Sequence, residues 1–480
     1  MIESTSTMQS ATKNILCEDD VPAKVPASNF IKILNKNCAE VLGLYGLEYE
    51  TSGHYLKVGE ISSKGQWVLH ISVVKRQLSG LLLDLIPFLV NENVPFRFVR
   101  NEEIAGQFLD GTLGFQNLGK LTCIYPENES RALFLAEKLI FLTTRFKGPA
   151  IPTDRWLGGC VYTEYVNNPF NCVPDSTGSN VDYRVQFRMP KGVSWPFKKI
   201  AKPGVPKRRK FLEGKYLPVL IVKSDCKGCV YKAVNFKKVF RPEWCLIKEG
   251  RRNMCSDDQD RDIGDRLEWQ WFLHNELTHY VSIPKPIEIF EYRGNSFLVM
   301  EFIEGVCLNN WLGELYQDFY WDDLTRIQHI LIIDLSLAIL DIVERLHSRG
   351  FVHRDLSPEN FIIDKNGRLV LIDLELTYST QMRRPSPPFK WGTPGFMSPE
   401  QMKADVPTVA EDIFGVGALI FTMFTGISPE KIDIHINTAE LPLILRDLIS
   451  LCTSATPENR PPIIHVRDII FQFRKQIGAL

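Results

Sequence analysis

The stretch FVHRDLSPENFIID, Phe351 to Asp364, gathers one His, one Arg, two Asp, one Glu and one Asn among apolar and turn-forming residues. Immediately after it, FIID and LVLID flank Lys365, Asn366 and Gly367, and an Asn-Gly pair between two β-like runs is a strong hairpin signal. The hairpin folds Asp373 back toward Asp355 and Asn360. Carboxylate and amide oxygens around one point suit Mg²⁺, a hard cation that brings phosphates with it. An acid beside the metal and not ligated to it is placed to accept a hydroxyl proton.

These residues need rigid supports. Arg326 to Ser348 is helical in pattern and apolar almost all round, so a buried helix ending at Gly350 is expected ahead of the motif. His353 to Asn360 then form a loop between a rigid helix and a rigid hairpin. His329 and His347 lie on that helix as packed or capping groups. Upstream, PVLIVKS, CVYKAVN and WCLIKEG read as strands.

The wider chain has 480 residues, 44% hydrophobic and 24% charged, enough for two or three domains with their own cores. Its 56 Lys plus Arg balance 57 Asp plus Glu, so nothing global points to nucleic acid or an anionic membrane. The greasiest runs, 81–90 and 330–343, fall short of the ~20 apolar residues of a span, and none is predicted. MIESTSTMQSATKN lacks the order of a secretory signal, which places the eleven Cys as thiols in a reducing cytoplasm. Cys226 and Cys229 form a C-x-x-C without a second Cys or His pair, so thiols in a strand turn are expected in preference to a zinc site.

Composition divides the chain. Residues 1–28 read as a disordered tail and 29–200 as a domain of mixed strands and helices. Residues 201–213 are a basic linker; exposure to solvent accounts for its charge, with a nuclear address or peptide-docking patch as alternatives. Residues 214–480 run from strands into long helices, and the fold class is α+β in two domains.

The second domain resembles the protein kinase family, whose H-R-D-x-x-x-x-N loop is matched by His353, Arg354, Asp355 and Asn360. Lys248 in WCLIKEG looks like the strand lysine on the α and β phosphates, and Asp373 in DLE like the metal-binding Asp of D-F-G. GTPGFMSPE, Asp412 and Arg460 resemble further landmarks of the large lobe. The resemblance implies a bilobal fold that uses ATP and Mg²⁺. It implies ATP contacts at Gly228, Val230, Lys248, Met300, Glu301 and Ile303, metal ligands at Asn360 and Asp373, and Asp355 as the base. Glu268 is the expected αC partner of Lys248, while a shifted alignment would put Gln270 there. Three departures stand out: Ser357 replaces the usual Lys near the γ-phosphate, SDCKGCVYKAV keeps only Gly228 of three glycines, and Glu375 replaces the glycine of D-F-G. A pseudokinase scaffold is the non-catalytic alternative. Ser379, Thr380 and Ser386 are candidate phosphorylation sites in the activation loop, 377–390.

In the first domain WVLHISVV, VPFRFV, GKLTCIYPENESRALFLAEKL and KGPAIPTDRWLGGCVYTEY resemble, in order, the phospho-Ser/Thr lyase domain of class III lanthipeptide synthetases. By that resemblance the domain is phosphothreonine-lyase-like and His70 matches the acid. Arg97, Lys120 and Arg155 are then candidate phosphate ligands. The family's base is a Lys where this chain has Arg97, and an Arg guanidinium is a poor proton acceptor. Val68 and Glu164 replace two further cations. Impaired elimination is therefore expected, or a pocket that binds only phosphopeptide or leader peptide, or a purely structural domain. The family's cyclase domain does not follow before Leu480, so ring closure would need a separate cyclase. The expected substrate is a ribosomally made precursor peptide phosphorylated on Ser or Thr; a conventional signalling Ser/Thr kinase is the alternative.

Overall fold

Sequence alternation and turn chemistry translate directly into elements in the computed structural model, which describes residues 38–167, 187–204, 211–237, 242–317, 319–430 and 441–479. The expected tail, 1–28, and residues 205–210 of the basic linker lie outside the described residues. Two compact units result, Met1–Pro206 and Lys207–Leu480.

The first unit is built on β1 (Glu50–Ser52), β2 (Tyr55–Val58), β3 (Gln66–Ile71), β4 (Phe96–Val99), β5 (Thr122–Ile124), β6 (Arg155–Gly158) and β7 (Val161–Val166), with α1 (Cys38–Leu44), α2 (Leu78–Asn91), α3 (Glu102–Asp110) and α4 (Glu129–Thr143). Asn101 and Asn128 cap α3 and α4 by accepting from Ile104 N and Arg131 N. The sheet order is β1-β2-β4-β5-β3-β7-β6, antiparallel throughout. Register sets Arg97, Cys123, His70 and Tyr162 in one row across four strands. Because side chains on paired residues share a face, this row brings chemistry-bearing groups together from positions far apart in sequence.

The second unit opens with β8 (Tyr216–Ser224), β9 (Cys229–Asn235), β10 (Glu243–Gly250), β11 (Pro286–Tyr292) and β12 (Asn295–Glu301), ordered β11-β12-β10-β9-β8. Helix α5 (Ile263–Leu277) packs on this sheet, and Asp262 starts it with a capping box. The larger lobe holds β13 (Gly305–Cys307), α6 (Leu308–Leu315), α7 (Arg326–Ser348), β14 (Phe351–Val352), β15 (Phe361–Asp364), β16 (Leu369–Leu371), β17 (Tyr378–Ser379), α8 (Pro399–Lys403), α9 (Val409–Thr425), α10 (Leu443–Cys452) and α11 (Ile463–Ala479). The expected helix is α7 with the bounds read from sequence; Thr325 caps its start, and Gly350 follows its end at φ +75. The Asn-Gly hairpin joins β15 to β16, with Phe361 opposite Leu371. Leu340, Val343 and Leu346 of α7 and Val416, Leu419 and Phe421 of α9 are among its fully buried core residues.

No helix among the described residues is long and apolar enough to cross a membrane.

Candidate active site

The loop between β14 and β15 is held before any substrate arrives. Arg354 sits at φ +69, a strained conformation for a residue with a Cβ, and three contacts fix it there. Its backbone N donates to Asp412 Oδ1 at 2.7 Å, its Nε to Glu411 Oε2 at 2.9 Å, and its Nη1 to the Phe389 carbonyl at 2.7 Å. Asp412 Oδ2 also accepts from His353 N at 2.7 Å and meets His347 Nε2 at 2.9 Å. His353 Nε2 bonds to the Asp373 carbonyl at 2.7 Å, which ties the loop to the segment after β16. His353 and Arg354 therefore brace the loop.

This bracing presents Asp355. Its Oδ1 accepts from Thr393 N and Oγ1 at 2.9 and 2.8 Å, and its Oδ2 accepts from Asn360 Nδ2 at 2.9 Å. With that nitrogen turned to Asp355, the Asn360 amide oxygen is the atom left to ligate a cation. Burial alone would raise the Asp373 carboxyl, but the Lys248 ammonium 2.8 Å from Oδ2 holds it down at about 2. Lys248 lies directly opposite Val230 across β10 and β9, and Met300 is fully buried at the end of β12 with Glu301 beside it. Glu301 N donates to the Lys285 carbonyl at 2.8 Å, and Ile303 follows in the connection to β13.

Glu268 does not meet Lys248. Its side chain is exposed on α5, whereas Gln270, fully buried, has Oε1 3.4 Å from Lys248 Nζ and donates Nε2 to Asp373 Oδ1 at 3.1 Å. Leu267, Gln270, Leu273, His274 and Leu277 form the buried stripe of α5, and a residue two positions from Gln270 falls on the other side. Arg266, one turn before Gln270, donates Nη1 to Glu375 Oε1 at 3.0 Å. The same oxygen receives Lys227 Nζ at 2.9 Å from the β8–β9 turn. In that turn Gly228 is demanded by space, since a Cβ would stand 2.0 Å from the Glu249 carbonyl oxygen. Cys229, the first residue of β9, contacts Ser224 Oγ at 3.2 Å and Arg251 Nη2 at 3.7 Å. Arg460, in the larger lobe, makes a bidentate pair with Glu400 at 2.5 and 3.0 Å.

In the first unit His70 and Lys120 gather with two acids, and Arg97 meets His70 at Cys123. His70 Nδ1 lies 2.6 Å from Asp154 Oδ2, and Lys120 Nζ lies 3.2 Å from Asp154 Oδ1 and 2.7 Å from Glu164 Oε1. Burial disfavours the charged ring of His70, yet Cys123 and Asp154 raise it to about 9; burial likewise opposes the Asp154 carboxylate, which Lys120 and His70 lower to about 2. Arg97 stacks 4.4 Å over the Tyr55 ring and shares Cys123 with His70, so despite its own burial the thiol is lowered to about 6 by both cations. Arg155 is not brought into this cluster, because its Nε donates to the Lys202 carbonyl at 2.8 Å. Asp154, its neighbour, is the inward residue, and sequence inspection passes over it because a single Asp before a short strand carries no pattern. Lys120 already carries two carboxylates, so a phosphate dianion entering here has to displace Glu164.

Residues 228–468 match the family model described as protein kinase domain, and residues 53–207 the one described as RamC, N-terminal domain. Among curated relatives, probable serine/threonine-protein kinase PknB of Lactococcus lactis subsp. lactis is 24% identical over 269 residues, which cover 47% of this chain and 41% of the relative. Serine/threonine-protein kinase B of Synechocystis sp. is 25% identical over 240 residues, 48% of this chain and 40% of the relative. Myosin light chain kinase 3 of Danio rerio is 30% identical over 159 residues, 32% of this chain and 21% of the relative. The chain thus spans less than half the length of these relatives. The two family matches, in this order, support a RamC-like, lanthipeptide synthetase-type architecture. With the kinase model covering half of its length, the chain belongs to the protein kinase domain family.

Proposed function

We propose that this chain is an ATP-dependent Ser/Thr kinase that phosphorylates a ribosomally made precursor peptide in lanthipeptide-type biosynthesis. The observation that carries the reading is Asp355, whose two carboxylate oxygens are both oriented, by Thr393 and Asn360. That acid accepts the proton of a Ser or Thr hydroxyl as the hydroxyl oxygen attacks the γ-phosphorus of ATP. Lys248 orients the α and β phosphates, while Met300, Glu301 and Ile303 border the adenine. The Asn360 amide oxygen and the Asp373 carboxylate would hold Mg²⁺, which neutralises phosphate charge when bound.

The N-terminal domain supplies peptide recognition with weak or absent elimination. Arg97 stands where the family base would be and cannot take a proton at neutral pH, and Lys120 is held by Asp154 and Glu164. A second reading, a conventional signalling kinase, draws on the curated relatives named serine/threonine-protein kinases.

Incubation with ATP, Mg²⁺ and a Ser- and Cys-rich candidate precursor, followed by intact mass, tests this. A gain of about 80 Da per site is expected. A net loss of about 18 Da per site shows elimination as well and overturns the assignment of a weak lyase. An unchanged precursor, with a generic Ser/Thr substrate phosphorylated in parallel, favours the signalling reading; no phosphorylation of either sinks the kinase proposal.

A further inference from the structure

We infer that Lys227, at the tip of the β8–β9 turn, is a ligand for the terminal phosphates of the nucleotide, parked on Glu375 while the site is empty. The inference rests on the kinase reading of the same site.

The turn has lost two of the three glycines that would let its backbone close over phosphate, and it is fixed in another way. Arg251 Nη1 donates to the carbonyls of Asp225 and Cys226 at 3.2 and 3.4 Å, and Arg251 N donates to the Lys227 carbonyl at 2.8 Å. Gly228 N donates to Asp225 Oδ1 at 3.2 Å. With the backbone tied to the end of β10, the side chains at the tip are what remain to reach into the cleft. Lys227 does so: its ammonium is 2.9 Å from Glu375 Oε1. Glu375 lies two residues past Asp373, whose other neighbour is Lys248 at 2.8 Å. The Lys227 charge is thus delivered to the strip that carries the metal ligand and the phosphate lysine.

Two considerations make Lys227 transferable. Glu375 carries one negative charge and two cations, Lys227 and Arg266. Arg266 has a side chain only 5% exposed and stays with α5, while the Lys227 side chain is 40% exposed and flexible. A triphosphate entering beside them offers several negative charges to the mobile cation, and Glu375 keeps Arg266. There is also a need for it. Ser357 occupies the place of the catalytic-loop lysine, and its buried Oγ has no hydrogen-bond partner among the described residues. The cation absent from below the γ-phosphate is supplied from above.

The test is calorimetric titration of adenosine, ADP–Mg²⁺ and ATP–Mg²⁺ into the full chain and its Lys227→Met, Glu375→Gln and Lys227→Met/Ser357→Lys variants, with kcat measured in parallel. Removing one charge-assisted contact to phosphate is expected to weaken ATP about tenfold or more and leave adenosine unchanged. Glu375→Gln releases Lys227 and is expected to tighten ATP several-fold. Ser357→Lys in the Lys227→Met background is expected to recover ATP affinity and part of kcat. Unchanged ATP binding by Lys227→Met overturns the inference while the kinase reading stands. Loss of adenosine together with ATP in that variant, or weaker ATP binding by Glu375→Gln, assigns the pair a structural role and also overturns it. Failure of the wild-type chain to bind adenosine or ATP removes the nucleotide site itself.

Discussion

Lys248 Nζ lies 2.8 Å from Asp373 Oδ2, and the side chain that touches both is an amide, Gln270, instead of a carboxylate. With no α5 carboxylate reaching it, Lys248 takes Asp373, the proposed metal ligand, as its counterion. A nucleotide–Mg²⁺ complex therefore has to separate Lys248 from Asp373 before it can use either.

Gln270→Glu offers Lys248 a carboxylate of its own and frees Asp373 for the cation. The Mg²⁺ concentration for half-maximal activity is expected to fall about two- to tenfold, a change of about 0.4–1.4 kcal/mol. Initial rates against Mg²⁺ at saturating ATP measure it. An unchanged or higher Mg²⁺ requirement would show that the Lys248–Asp373 contact does not compete with the metal.

Thr393 controls the orientation of Asp355 through two hydrogen bonds to one oxygen. Thr393→Ala removes the hydroxyl and leaves the backbone donor, so kcat is expected to drop about tenfold with the ATP KM nearly constant, against a loss of about 10²–10⁴ for Asp355→Asn. Thr393→Ser, which keeps the hydroxyl, is expected to retain most of kcat. A drop confined to KM would assign Thr393 to nucleotide binding instead of to the base.

Much of this site is legible in the chain because it is local. His353 to Asn360, the Asn-Gly hairpin and the helix Arg326–Ser348 lie within 50 residues, and each carries its own periodicity or turn signal. Gln270 was within reach too: Leu267, Leu273 and Leu277 define a buried stripe on which Gln270 lies and Glu268 does not. The aromatic residues Trp269 and Trp271 blur that stripe, which is why the acid was the more obvious partner. Lys227 and Glu375 are different. They are 148 positions apart, and no local pattern pairs them. In the first domain the row Arg97, Cys123, His70 exists only once the strands are ordered, and single-strand alternation leaves that order open. The same ordering turns Asp154 inward and Arg155 toward Lys202.

Asp412 is a structural acid whose loss has a large cost. It takes the backbone donors of His353 and Arg354, both at 2.7 Å and both buried. Asp412→Ala orphans both and releases the strained Arg354, so the kinase domain is expected to lose about 3–5 kcal/mol. Asp412→Asn retains one acceptor and should lose less. Chemical denaturation of the two variants checks the order; equal stability to wild type would mean that the contacts to Glu411, Phe389 and Asp373 hold the loop without Asp412.

The His70–Asp154 pair makes the first domain's stability depend on pH in a definite direction. His70 is raised from 6.5 to about 9, so its contribution is complete below pH 6.5 and is lost as pH rises through 9. Asp154 is lowered from 3.8 to about 2, so its contribution is complete above pH 3.8 and is lost as pH falls through 2. Both are present together between about pH 4 and 6.5. Because Cys123, the other group that raises His70, is lowered to about 6 and gains charge over the same range, the comparison is made in a Cys123→Ala background: adding His70→Gln there removes the charged ring, and the gap in melting temperature between Cys123→Ala and the double variant should be widest in that window and should shrink as pH rises above 6.5. Scanning the first domain's transition in the full chain across that range measures it, and a gap that stays constant from pH 6.5 to 9 would mean that the ring is not protonated against Asp154 in the folded state.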